Sequence, residues 1–162
     1  MRLEKLYTPI FIIPILLFTF ACTKKSRENI VEKPMDDSYS VGYNNKIQMT
    51  KLLNAAILKG DTTSYKMAYK NYTIASHYEE FLYYSISMAE KHDYNLAYYH
   101  TYELLKIVDE IKGYNNIHKN NPIAIYFLLM AYEKNEKNAL DDLMEIYSNK
   151  SDIPKSSDYL KN

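Results

Sequence analysis

The sequence predicts an all-α domain of about three helical hairpins, and three observations point to this class. Between residues 45 and 150, apolar side chains recur at three- and four-residue spacing, and the alternation typical of strands is scarce. No proline lies between Pro34 and Pro122. Polar turns at 59–61, 91–93 and 134–136 divide the region into hairpins with a period near that of helical repeats.

The composition sets limits on the class of protein. The chain has 162 residues, with 20 Lys+Arg against 20 Asp+Glu, so it lacks the basic surplus of a nucleic-acid binder. Its 47% hydrophobic and 25% charged residues are typical of a globular chain. The single Cys excludes an internal disulfide and any cysteine-rich zinc or redox module.

The first 21 residues are predicted to be a signal peptide. Arg2 and Lys5 give a positive start, and an uncharged, mostly apolar run of 16 residues follows, from Leu6 to Ala21. A membrane-spanning helix needs about 20 apolar residues, whereas a signal peptide needs only about 7–15. The run is therefore short for a transmembrane anchor.

The only cysteine, Cys22, follows this run directly and resembles the acylated cysteine of a bacterial lipoprotein. The residues before it, Thr19 and Phe20, depart from the usual lipobox, although looser boxes occur in Bacteroidota. Ordinary signal-peptidase cleavage would cut the same bond and leave Cys22 unmodified. Lipidation is the preferred interpretation. Surface-exposed lipoproteins of Bacteroidota usually carry acidic residues after the cysteine, so by this resemblance the basic stretch at 23–27 favours the periplasmic face. The outer membrane is the expected location, and the inner membrane is the open alternative.

The mature chain is predicted to contain a flexible linker at 22–44, a helical domain at 45–150 and a disordered tail at 151–162. Helix limits are indicated by an Asp61 N-cap, by a capping box of Ser76 and Glu79, and by Gly113 after a helix end. Asn121-Pro122 should open the fifth helix, because proline fits the first helical position.

Within this domain, the stretch from Ala124 to Tyr147 resembles a Sel-one-like repeat, a relative of the tetratricopeptide repeat. Asn135 stands where the turn glycine of that repeat usually lies, while Met144 replaces an expected glycine. The first hairpin matches through Ala56, Gly60, Ser64, Ala68 and Tyr72. The resemblance covers roughly residues 47–148. It implies a short right-handed superhelix that binds another protein.

Two histidine–glutamate pairs are candidate metal ligands. His77 and Glu80, like His100 and Glu103, are three residues apart and would share a helix face. Carboxylate-bridged bundles place Glu before His and use several such helices, so exposed surface pairs are the favoured interpretation. The motifs of catalytic nucleophiles and phosphate-binding loops are missing from the sequence. We therefore expect no catalytic residues, no metal and no cofactor.

The high tyrosine content, 18 residues, is the remaining feature of the sequence that could indicate a binding surface. Ala97, Thr101, Leu104 and Val108 complete a core stripe on the fourth helix, which leaves Tyr99 and Tyr102 for a groove or the surface. Together with Tyr84, they are the predicted partner-binding residues, because tyrosine is enriched at protein interfaces. An AT-rich genome would also raise the tyrosine content, and the sequence leaves both explanations open.

These features predict a lipid-anchored periplasmic protein that binds a protein partner. Immunity against a secreted toxin is the preferred role, and an adaptor or scaffold in an envelope or secretion complex is the alternative. An enzyme or metal carrier that uses the His–Glu pairs is a third, less favoured interpretation.

Overall fold

The structure, a computed structural model, describes residues 41–114 and 121–159. The predicted signal peptide, Cys22 and most of the predicted linker lie outside these residues, as do His118 and the last three residues. The described residues form eight α-helices and no strand, which confirms the all-α class. The helices are α1 Val41–Asn44, α2 Lys46–Lys59, α3 Thr62–Ile74, α4 Tyr78–His92, α5 Asn95–Ile111, α6 Pro122–Glu133, α7 Ala139–Ile146 and α8 Ser156–Tyr159.

Neighbouring helices pack in pairs along the chain. Short turns join α2 to α3, α4 to α5 and α6 to α7, and the members of each pair lie in contact. Helix α5 also packs extensively against α6, so it is covered on two sides. The two one-turn helices complete the array, since α1 contacts α2 and α3 and α8 contacts α6.

The core consists of the apolar stripes of all three pairs. Its largest fully buried side chains include Tyr65, Phe81, Met88, Leu104 and Leu128. Small residues lie between them, with Ala68, Ala89, Ala97, Ala131 and Ala139 each fully buried. Alanine at such positions lets helix backbones approach closely. The periodicity read from the sequence therefore identified the buried faces of α2, α3 and α6 correctly.

Three of the predicted helix limits are confirmed. The Asp61 carboxylate accepts hydrogen bonds from the Thr63 and Ser64 amides and caps α3. Asn121 caps α6 in the same way, directly before Pro122. Gly113 follows the end of α5 with φ of +78°, a conformation that glycine adopts without steric cost.

The predicted capping box of Ser76 and Glu79 is wrong. Ser76 has φ of +59°, and α4 begins two residues later with His77 as its N-cap, which makes no side-chain capping bond. Because Ser76 belongs to the preceding turn, its hydroxyl is not placed to cap the helix. The sequence contains the capping-box pattern, but an N-cap residue normally has an extended backbone conformation, whereas Ser76 has a positive φ.

The helical region extends beyond both of its predicted boundaries. At the start, Tyr43 belongs to α1 rather than to the linker, and it is buried with its hydroxyl donating to Glu80 at 2.8 Å. At the end, Ser156 of α8 is buried, and its amide and hydroxyl each donate to the Glu133 carboxylate at 2.7 Å. The predicted disordered tail is thus wrong for residues 151–159.

The array has two edges that differ in their connections. The turn edge holds the three short turns, where Gly60, Asp93 and Asn135 all have positive φ. Adjacent turns are tied together, because His92 Nε2 donates to the Ile57 carbonyl at 2.8 Å and Lys134 pairs with Asp93. The connector edge is the opposite edge, where α1 enters, where residues 75–77 join α3 to α4, and where α5 ends and α6 begins.

Candidate partner-binding face

Tyrosine–carboxylate hydrogen bonds link the second helices of the three pairs. The Tyr69 hydroxyl of α3 donates to Glu103 of α5 at 3.2 Å. The Tyr99 hydroxyl of α5 donates to Asp142 of α7 at 2.7 Å. We call the surface defined by Tyr69, Tyr99, Glu103 and Asp142 the α3–α5–α7 face. All four side chains are half-buried, so their positions are fixed by packing while part of each remains accessible.

Burial and nearby charge shift the pKa values of Glu103 and Tyr99 on this face. Burial raises the pKa of the Glu103 carboxyl, and the nearby Asp142 charge raises it further. Burial also raises the pKa of Tyr99, an effect that its hydrogen bond to the Asp142 carboxylate reinforces. Tyr99 therefore stays protonated and remains a donor throughout the physiological range. The face presents carboxylate oxygens that its own tyrosines hold in place.

Each of these carboxylates uses one oxygen for its tyrosine. Within the described ranges, Glu103 Oε1 and Asp142 Oδ1 make no hydrogen bond, and neither carboxylate has a cation within ion-pair distance. A carboxylate has acceptor capacity for several donors. Chemically, the face can accept hydrogen bonds from cationic or N–H groups of a partner.

Beneath this face lies a buried polar network centred on His100. The Tyr65 hydroxyl contacts Ser85 Oγ at 3.0 Å and His100 Nδ1 at 3.1 Å. Ser85 Oγ donates to the Ala97 carbonyl at 3.1 Å, and Thr101 Oγ1 lies 2.8 Å from both Ser85 Oγ and that carbonyl. Buried polar groups are stable only when they are paired in this way.

The network indicates which nitrogen of His100 carries the proton. Nδ1 is the only ring nitrogen with a hydrogen-bond partner among the described residues. If Nδ1–H donates to Tyr65, the Tyr65 hydroxyl donates in turn to Ser85, and no buried donor is left unpaired. The other tautomer would bury an Nε2–H without an acceptor, which costs more. Burial lowers the pKa of His100 to about 4, so the ring is neutral at pH 7.

The three predicted partner-binding tyrosines do not share one surface in the structure. Tyr99 lies on the face as a half-buried residue, and its partner role stays a prediction. Tyr102 is only 2% exposed and its ring lies 6.1 Å from that of Tyr99, so its predicted surface position is wrong. Tyr84 lies on α4, where it packs against Tyr72 and Phe81 and makes no ring contact with Tyr99. Cys22 lies outside the described residues.

The two His–Glu pairs also differ from each other. His77 Nδ1 lies 2.6 Å from Glu80 at the protein surface, as the surface-pair interpretation predicts. His100 is buried and bonds Tyr65, while Glu103 bonds Tyr69, so the prediction of a second exposed pair is wrong. No group of three or more metal-ligating side chains occurs in the described part of the chain.

Sequence reasoning missed three members of the face. Tyr69 fits the core stripe of α3 by its spacing, and Glu103 stands out in the sequence only as a partner of His100. Asp142 has the appearance of a solvated member of an acidic doublet, although it is half-buried and accepts from Tyr99. Helical spacing places Tyr99, Glu103 and Lys106 on one side of α5. That spacing was the only signal that could have indicated the face.

Comparison with known proteins supplies no relative for this chain. No family model, curated protein or solved structure matches it. Within residues 41–114 and 121–159, no helix has both the length and the apolar character required to cross a bilayer.

Proposed function

We propose that this chain is a lipid-anchored periplasmic protein that binds a single protein partner through its α3–α5–α7 face. Cys22 carries the anchor and holds the protein at the outer membrane. The three helix pairs form a short right-handed superhelix of the Sel-one or tetratricopeptide type. The partner is a secreted toxin, and the chain acts as its immunity protein.

The observation that supports binding is the pair of interhelical bonds from Tyr69 to Glu103 and from Tyr99 to Asp142. These bonds fix the side chains of three helices before any partner arrives. Pre-organised side chains lose little conformational freedom on binding, so more of the contact energy is retained as affinity. Tyrosine also offers a large contact area that loses little rotamer entropy.

The chemistry of the face favours a partner with a basic contact surface. Glu103 and Asp142 are half-buried and have no cation within ion-pair distance in the described residues. Burial raises the pKa of Glu103, and repulsion from the Asp142 charge raises it further. An Arg or Lys from the partner would relieve that repulsion and use the second oxygen of each carboxylate. Such charge complementarity would also speed association at low ionic strength.

The test is recovery of the partner from the native envelope with matched variants. Affinity purification of the tagged full-length chain should yield one stoichiometric protein, identified by mass spectrometry. Asp142→Asn should weaken its binding roughly tenfold or more, because a desolvated charge contact is lost. The adjacent Asp141→Asn is the control, since Asp141 is exposed and has the same chemistry.

The identity of the recovered protein separates the possible roles. A toxin, together with protection of cells that Asp142→Asn abolishes, would support immunity. A resident envelope or secretion subunit would replace immunity with an adaptor role. Equal binding by both variants would refute the α3–α5–α7 face, and recovery of the chain alone in repeated preparations would refute a dedicated partner.

A further inference from the structure

Exposed apolar side chains are concentrated at the connector edge. Nine large apolar side chains are exposed in the described part of the chain, and five of them lie at helix ends on this edge. Their exposed fractions range from 41% to 74%. They are Ile47, Ile74, Ile111, Tyr114 and Ile123.

Contacts between helix ends place these five residues on the same edge. Lys112, beside Ile111, pairs with Glu79 at the start of α4 at 2.7 Å, and α4 begins four residues after Ile74. Asn121 donates to Asp109 at 2.7 Å, which brings the start of α6, and with it Ile123, beside the end of α5. Ile47 stands in the first turn of α2, which pairs with α3.

The turn edge lacks a comparable group. Of the nine exposed side chains, only Leu58 lies there, in the last turn of α2. The asymmetry matters because scattered exposed apolar residues are normal in soluble proteins, whereas a concentration on one surface indicates something that covers it.

The chain enters the domain at this apolar edge. Tyr43 of α1 stacks on His77, with 3.9 Å between ring centroids, and bonds Glu80, so the start of the domain is fixed beside the start of α4. The 19 residues at 22–40 connect the proposed anchor to α1. If they form the coil predicted from their composition, their root-mean-square span is about 24 Å. An anchor at Cys22 would thus hold the connector edge close to the bilayer.

From the shared position of the entry point and the apolar side chains, we infer that the connector edge rests on the surface of the membrane that holds the anchor. The inference relies on the lipid anchor of the proposed function. Isoleucine enters the boundary between headgroups and acyl chains, and tyrosine is enriched there because its ring is apolar and its hydroxyl polar. The residues of the α3–α5–α7 face lie within their helices and not at the ends that form the connector edge.

The contact is apolar rather than electrostatic. Lys112 at this edge is already paired with Glu79, and Lys46 lies over the Tyr43 ring at 3.9 Å. Glu80 adds negative charge nearby. Attraction to anionic headgroups therefore contributes little, and we expect the contact to persist at high salt.

The absence of tryptophan from the chain makes a direct test possible. The full-length lipidated protein is prepared with a single tryptophan, as Tyr114→Trp or, for the turn edge, Leu58→Trp. Both parent residues are exposed, at 58% and 75%. Each variant is reconstituted into phosphatidylethanolamine–phosphatidylglycerol vesicles that contain brominated acyl chains, which quench tryptophan on contact. Mass spectrometry verifies the lipid on Cys22.

We expect the indole at position 114 to be quenched roughly threefold more strongly than the indole at position 58, with little change at high salt, because position 114 lies in the interfacial region. Ile111→Ser combined with Tyr114→Trp should reduce that quenching, whereas Leu58→Ser combined with Tyr114→Trp should not. Equal quenching at the two edges would overturn this inference but leave the proposed function standing. Protection of position 114 only when a protein partner is added would do the same. An unmodified Cys22 would overturn the anchor of the proposed function and this inference with it.

Discussion

The imidazole of His100 lies flat against the phenol ring of Tyr69, with 3.6 Å between the ring centroids and 3° between their planes. Tyr69 uses its hydroxyl to reach Glu103 on the α3–α5–α7 face, while His100 uses Nδ1 to reach Tyr65 in the core. The stacked pair therefore joins the buried network to the face above it. Changes in the network should be transmitted to the position of Tyr69.

Acid should destabilise the fold through His100. The folded state holds the pKa of His100 near 4, against an ordinary value of 6.5, so folding favours the neutral ring. This stability is fully present above about pH 6.5 and is lost as the pH falls towards 4, by roughly 3 kcal/mol in total. Urea unfolding at pH 7 and pH 4.5, followed by circular dichroism, should show the loss.

The contribution of His100 can be separated from that of the carboxyl groups. The pKa values of Asp61, Glu80 and Asp93 are lowered by their hydrogen bonds, so their contributions disappear only as the pH falls below their ordinary values. The raised pKa of Glu103 acts in the opposite direction. His100→Gln should flatten the dependence between pH 6.5 and 4.5. An unchanged slope in that variant would contradict the assigned role of His100.

Removal of the Tyr65 hydroxyl should cost about 2–3 kcal/mol of unfolding free energy, because it leaves His100 Nδ1–H and Ser85 without their shared partner in the core. Tyr65→Phe keeps the ring and isolates this effect. The control is Tyr83→Phe, since Tyr83 is exposed. The difference in urea midpoint measures the effect, and similar midpoints for the two variants would show that the network contributes little.

Two glycines with similar backbone conformation should respond differently to alanine. Gly60 has φ of +67° and an added Cβ would lie 2.7 Å from His92 Nδ1, whereas Gly113 has φ of +78° and open space around it. Gly113→Ala should cost only backbone strain, about 1 kcal/mol. Gly60→Ala should cost measurably more, because His92 must move and its bond to the Ile57 carbonyl is threatened. Equal losses in thermal unfolding would argue against the tie between the first two turns.

Local signals were sufficient to predict much of the fold. Helix ends are marked by short-range chemistry at Asp61, Asn121-Pro122 and Gly113. The buried sides of α3 and α6 are marked by the spacing of their apolar residues. Such information is contained within a few consecutive residues. The turn residue Asn135 likewise adopts the positive φ expected of a position that a glycine usually occupies.

The remaining features depend on contacts that the sequence does not display locally. Tyr102 is buried although it lies outside the apolar stripe of α5, because neighbouring helices pack on α5 from more than one side, and a single helical stripe cannot indicate that. Ser156 is held by Glu133, 23 residues earlier in the chain, so a polar tail resembles a disordered one until the two meet. The bond from Tyr99 to Asp142 spans 43 residues. The candidate face was therefore predictable only in part, through Tyr99.

The claim that the α3–α5–α7 face engages a protein is tested most directly by photo-crosslinking in the native envelope. A photoreactive amino acid replaces Lys66 on α3, one helical turn from Tyr69, or Glu145 on α7, one helical turn from Asp142. Both replaced residues are exposed. The control is the same replacement at Tyr83, an exposed residue on α4. Positions 66 and 145 should crosslink to the same single protein, and position 83 should not. No adduct at either face position, or an equal adduct at position 83, would show that the α3–α5–α7 face does not engage a protein.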